Sequence, residues 1–72
     1  MDKIFLQTII KFNNKPEDIY NNIILDIQEN QIICNENISY KVSKVCWFLS
    51  SKGGIDYNLA QFVIKEIYCD VI

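Results

Sequence analysis

The stretch Ile38-Ser39-Tyr40-Lys41-Val42-Ser43-Lys44-Val45-Cys46-Trp47-Phe48-Leu49-Ser50-Ser51 decides how the rest of this chain is read. At period two, Ile38, Tyr40 and Val42 alternate with polar neighbours, as in a half-buried strand. Lys44 then falls in phase with the apolar set, and the alternation fails. At the helical step of about 100° per residue, Ile38, Val42, Val45 and Leu49 line up in one row. Tyr40, Lys44, Trp47 and Ser51 form a second row on the far side, with Phe48 at its edge. The spacing predicts a helix over 38–51. Ser50-Ser51-Lys52-Gly53-Gly54 would end it, glycine supplying the left-handed residue past a helix terminus.

A helix that is apolar on two sides is either central in a bundle or offers one side to a partner. Trp and Tyr are enriched at binding hot spots because they join a large buried area to a polar tip. Tyr40, Lys44, Trp47, Phe48 and Ser51 are therefore the candidate partner-binding residues. The plainer reading makes Trp47 core.

Downstream, Asp56 is a good N-cap. Leu59, Val63, Ile67 and Val71 recur every four residues, with Asn58, Gln61 and Lys65 opposite, so 56–72 is read as a helix. Together with 38–51 it resembles a helix-turn-helix in generic pattern alone. Asn58, Gln61 and Lys65 would then read base edges, and Lys41, Lys44 and Lys52 would meet phosphates. A connection longer than the usual turn and a net charge of −2 count against it.

Upstream, Pro16 suits a first helical turn, and Glu17 and Asp18 sit well at a helix N-terminus. Ile19, Ile23 and Ile27 share an arc with Tyr20 and Ile24, so 16–29 is read as a third helix, with Asp18, Asn22, Asp26 and Glu29 facing outward. Residues 2–12 sort more cleanly on a helical wheel and are read as a helix, although their β-branched content favours a strand. Between them, 30–37 breaks the pattern. A hairpin pairing 31–34 with 38–42 across Asn35-Glu36-Asn37 is the alternative to a loop whose Asn37 caps the next helix.

The expected fold is thus all-α, a single domain over 1–72 built as a bundle of three to four helices. The alternative is α+β, with a short β-hairpin near 31–42 or an N-terminal strand. At 72 residues the chain buries only about 60% of the surface it exposes when unfolded, so a partner or self-association would help it.

Composition narrows the function. Without His the commonest general base and neutral metal ligand are missing. No nucleophile–base or acid–base pair is legible, so no catalytic residue, metal ligand or cofactor is assigned. Gly53-Gly54 lacks the spacing of a phosphate cradle. Residues 1–37 carry −3 and residues 38–72 carry +1, and neither half is polybasic. Cys34, Cys46 and Cys69 are odd in number and widely spaced, which fits free thiols in a reducing interior. The start carries no leader pattern, and no apolar run reaches the roughly 18 residues of a membrane helix. Fourteen Ile and eight Asn beside a single Ala, Ala60, point to an A/T-rich genome, such as that of a low-GC bacterium or its phage.

The function expected from the sequence is that of a small non-enzymatic, cytoplasmic interaction protein. It would be an inhibitor or adaptor of the phage anti-defence or toxin-neutralising type, acting by steric blocking. Its partner is a protein, either a basic one steered by the acidic 16–29 segment or a second copy of the chain. The competing class is a small DNA-binding regulator.

Overall fold

The computed structural model describes residues 3–53 and 59–72, and none of them is helical. The chain is all-β, a curled five-stranded mixed sheet shaped as a half-barrel. The strands are β1 (Lys3–Phe12), β2 (Asp18–Asn21), β3 (Ile32–Asn35), β4 (Ile38–Gly53) and β5 (Leu59–Val71). Their order across the sheet is β2-β1-β5-β4-β3. The last strand in sequence is therefore the central one, parallel to β1 and antiparallel to β4.

This overturns the helical bundle, and the reason lies at one residue. Val42 pairs with Cys69 and Lys44 pairs with Tyr68, so Ser43 is an extra residue on β4. Such a bulge shifts the side-chain alternation by one. Before it, Tyr40 and Val42 face inward; after it, Val45, Trp47 and Leu49 lie on that same face. The apparent failure of period two at Lys44 is this slip. The row Ile38, Val42, Val45 and Leu49 was a coincidence of helical spacing.

The other helical readings fail for related reasons. Leu59, Val63, Ile67 and Val71 recur every four residues, a spacing shared by a helix row and by one face of a strand. In 16–29, Asp18–Asn21 instead pairs with β1, and Asn22 turns left-handed at φ 65°. Ile23–Gln28 then crosses the concave face without helical hydrogen bonds. Thr8 Oγ1 donates to the Ile23 carbonyl at 2.7 Å and accepts from the Leu25 N–H at 3.0 Å. Lys65 Nζ donates to the Leu25 carbonyl at 2.8 Å. Side chains of the sheet thus take up backbone groups that a helix would have satisfied internally.

Two elements weighed as alternatives are present: residues 3–12 are a strand, and β3 and β4 form a hairpin. The α+β class itself does not hold, since no described residue is helical. The hairpin loop is Glu36-Asn37, with φ of 51° and 66°. Positive φ at both central residues is the turn whose twist matches paired strands.

The core lies at one end of the sheet. Phe12, Cys69 and Val42 are neighbours across β1, β5 and β4, and Ile10, Ile67 and Val45 make the next row. Tyr40 stands on the same face with its ring 4.8 Å from that of Phe12, and its hydroxyl donates to Asn14 Oδ1 at 3.1 Å. Leu25, Ile27 and Ile33 close over this cluster. Each fully buried Ile or Val contributes about 1.5–3 kcal/mol.

Candidate interaction surface

Beyond the core, β4, β5 and the start of β1 run on as an arm. The molecule measures 49 × 19 × 17 Å with a radius of gyration of 14.8 Å, against about 11 Å for a compact chain of this length. Its accessible surface is 5291 Å², roughly 600 Å² above the value usual for its mass. Both faces of the arm carry exposed apolar side chains.

On the concave face, Trp47 is 53% exposed and Leu49 74% exposed, with Ile4 and Val63 on the neighbouring strands. On the convex face, Phe5 stacks on Phe62 at 5.0 Å with an interplanar angle of 13°. Phe48 and Ile64 continue that patch as cross-strand neighbours, and Ile9 and Ile19 extend it toward β2. Burial of a sheet on one face alone is ordinary; this arm has polar residues dominating neither face.

The third feature is the free edge of β4. Strand β3 covers β4 only over Ile38–Lys41. The Asn30 N–H then donates to the Val42 carbonyl and the Val42 N–H to the Gln31 carbonyl, and the Val45 N–H reaches Glu29 Oε1 at 3.4 Å. Past Val45, no described strand pairs with this edge. Residues Val45–Ser51 carry no charge.

The residues expected to bind a partner do not form one patch. Tyr40 is fully buried in the core. Trp47 and Ser51 lie on the concave side, while Lys44 and Phe48 lie on the convex side, because alternation in a strand sends them apart. Lys44 Nζ is 5.5 Å from the Tyr68 ring centre. The helical docking face drawn from the sequence does not exist.

The DNA-reading set fares no better. Asn58 lies outside the described residues. Gln61 and Lys65 belong to a strand, and Lys65 is only 4% exposed, its ammonium 5.0 Å over the Trp47 ring and bonded to Leu25. Without a described helix, the helix-turn-helix reading is withdrawn. Val45, Cys46, Leu49, Phe5 and Phe62 were missed. The signal that could have found the first three is the uncharged run between Lys44 and Lys52, read as an edge strand.

The polar end of the convex face is a small network. Lys11 Nζ lies 3.6 Å from Glu66 Oε1, and the Tyr68 hydroxyl donates to that same oxygen at 2.7 Å. The Glu66 carboxylate raises the lysine above its ordinary value, and the hydrogen bond to Glu66 raises the phenol. Burial pushes the Cys69 thiol up, which keeps it protonated and poorly nucleophilic. Cys34 and Cys46 are also free thiols. Among the described residues there is no metal-ligating cluster, and no helix long and apolar enough to cross a membrane.

Beside Trp47 a hollow of about 410 Å³ is bordered by Asp26, Glu29, Val45 and Lys65. It is open, and the Lys65 ammonium is turned toward Leu25. Comparison with protein-family models, curated proteins and solved structures finds no match to this chain.

Proposed function

We propose that this chain is a small non-enzymatic interaction protein that acts by seating its apolar arm on a protein partner and blocking that surface. The observation that carries the reading is the β4 segment Val45–Leu49, uncharged along a free edge and apolar on both faces. Soluble chains ordinarily guard such an edge with Lys, Pro or a covering element. Exposed apolar patches of several hundred Å² mark interaction sites.

The inhibitor or adaptor class fits a chain with this much interaction surface and so little enclosed volume. Asp26 and Glu29 border the hollow beside Trp47, which favours a basic partner surface there and speeds encounter with it. Three free thiols suit a reducing cytoplasm.

The test is affinity capture from cells of the source organism with the wild-type chain and with Leu49→Lys. Among the described residues Leu49 is the most exposed apolar side chain on the concave face, so its replacement leaves the core alone. Captured proteins should be lost with the variant while its β-type circular dichroism is unchanged. Retention of the same proteins by both chains would refute the reading.

A further inference from the structure

The covering of the β4 edge can be specified further, on the footing that the arm is an interaction surface. In an antiparallel ladder, each residue turns its backbone N–H and C=O to one side, and successive residues alternate. Val42 and Val45 both direct backbone groups away from β5, toward Gln31, Asn30 and Glu29. Their odd spacing is the bulge again. From Val45 onward, Trp47, Leu49 and Ser51 must point their N–H and C=O groups out of the sheet edge. Among the described residues nothing receives them.

The side chains on this edge have a symmetry of their own. Val45-Cys46-Trp47-Phe48-Leu49 is apolar throughout, centred on Trp47, with Lys44 on one side and Ser50 on the other. An antiparallel copy turned about an axis at Trp47 sets Trp47 opposite Trp47 and Val45 opposite Leu49. On the other face it sets Cys46 opposite Phe48. Every pair is apolar, and the residues whose backbone groups point outward meet one another, as a ladder requires. Moving the axis one residue pair along, to Phe48, sets Val45 opposite Ser51 and Cys46 opposite Ser50, trading apolar pairs for mixed ones.

We infer that two copies of this chain join β4 to β4 in antiparallel pairing about a two-fold axis at Trp47, so that one sheet runs through both. Such an interface is self-complementary, as a two-fold contact must be. Asn30 and Gln31 block the edge at Val42, which limits the pairing to the arm and sets its length; the Val45 N–H exchanges its 3.4 Å bond to Glu29 Oε1 for the Leu49 carbonyl of the other copy. The concave and convex faces of each copy then lie alongside their counterparts, both still open to a foreign partner.

The experiment has two parts. Light scattering on the wild type should give twice the 8.5 kDa chain mass, and Leu49→Lys should return a monomer with unchanged β-type circular dichroism. For the register, Cys34→Ser serves as background. Under mild oxidation, Phe48→Cys should give a covalent dimer linked through Cys46 and the introduced thiol. The two positions are non-hydrogen-bonded neighbours with Cα atoms about 4.5 Å apart, within disulfide range. Ser50→Cys should not link. Linking by Ser50→Cys in place of Phe48→Cys, or a wild type that stays monomeric at about 100 µM, would overturn the inference. A monomer that still loses captured proteins on Leu49→Lys sinks the pairing and leaves the partner-blocking reading standing. A dimer that captures nothing does the reverse.

Discussion

Thr8 and Lys65 face each other across the parallel β1–β5 ladder, and both turn their polar ends on the same crossing segment. Thr8 holds the Ile23 carbonyl and the Leu25 N–H, while Lys65 holds the Leu25 carbonyl. Both side chains are buried. Two polar groups placed mid-sheet thus pin the strap that closes the core.

Thr8→Val removes the hydroxyl while keeping the shape. It leaves the Ile23 carbonyl and the Leu25 N–H without their partner, at a cost of about 1–3 kcal/mol. The urea midpoint should fall accordingly, with the slope unchanged. An unaltered midpoint would mean that the strap is held by Leu25 and Ile27 packing alone.

Lys65 is tested by two replacements. Its side chain is buried, with the ammonium 5.0 Å from the Trp47 ring centre and paired with the Leu25 carbonyl, so Lys65→Met keeps the stem's volume and deletes the charge. Lys65→Ala deletes both. The alanine variant should be about 2 kcal/mol less stable than the methionine variant, the cost of the cavity. Equal losses would show that the ammonium–carbonyl bond dominates.

The bulge makes an unusual deletion tolerable. Removing Ser43 leaves every β4–β5 pair in register, because Ser43 has no partner opposite it. Removing Cys46 instead turns Trp47 and Leu49 to the other face. The chain without Ser43 should keep its β-type circular dichroism and unfold cooperatively, while the chain without Cys46 should lose stability steeply. Equal damage from both would contradict the register.

Alkali should weaken the fold. Lys11, Tyr68 and Cys69 all have values raised in the folded chain. The native state therefore holds these protons more tightly than the unfolded chain does. Their contribution is present at neutral pH and is lost as the pH rises from about 8.5, the ordinary cysteine value, through the lysine range near 10.4. Urea midpoints between pH 7 and 11 should decline, and Glu66→Gln should flatten the decline above pH 10. A midpoint that rises with pH would contradict the sign.

What the sequence made legible was uneven. The Asn35-Glu36-Asn37 turn was visible as a hairpin candidate because Asn tolerates the left-handed backbone that the loop needs. The strand over 3–12 was visible in its β-branched residues, though Phe5 and Ile9 on the convex face spoiled the alternation. That face carries apolar residues, so no clean inside–outside pattern exists to be read. Lys65 misled twice, once as a solvent-facing helix residue and once as a DNA contact. Its burial depends on Leu25, forty residues away, and no local pattern encodes that. The edge of β4 was hidden by Ser43, since a single inserted residue destroys the period on which strand recognition depends.

The position of β5 has a consequence for how the molecule is born. Among the described strands, the first has only the four residues of β2 to pair with until residues 59–71 have left the ribosome, because its long neighbour is the last of the five in sequence. Until then β4 lacks its main support, and the greasy tract around Trp47 has both flanks bare.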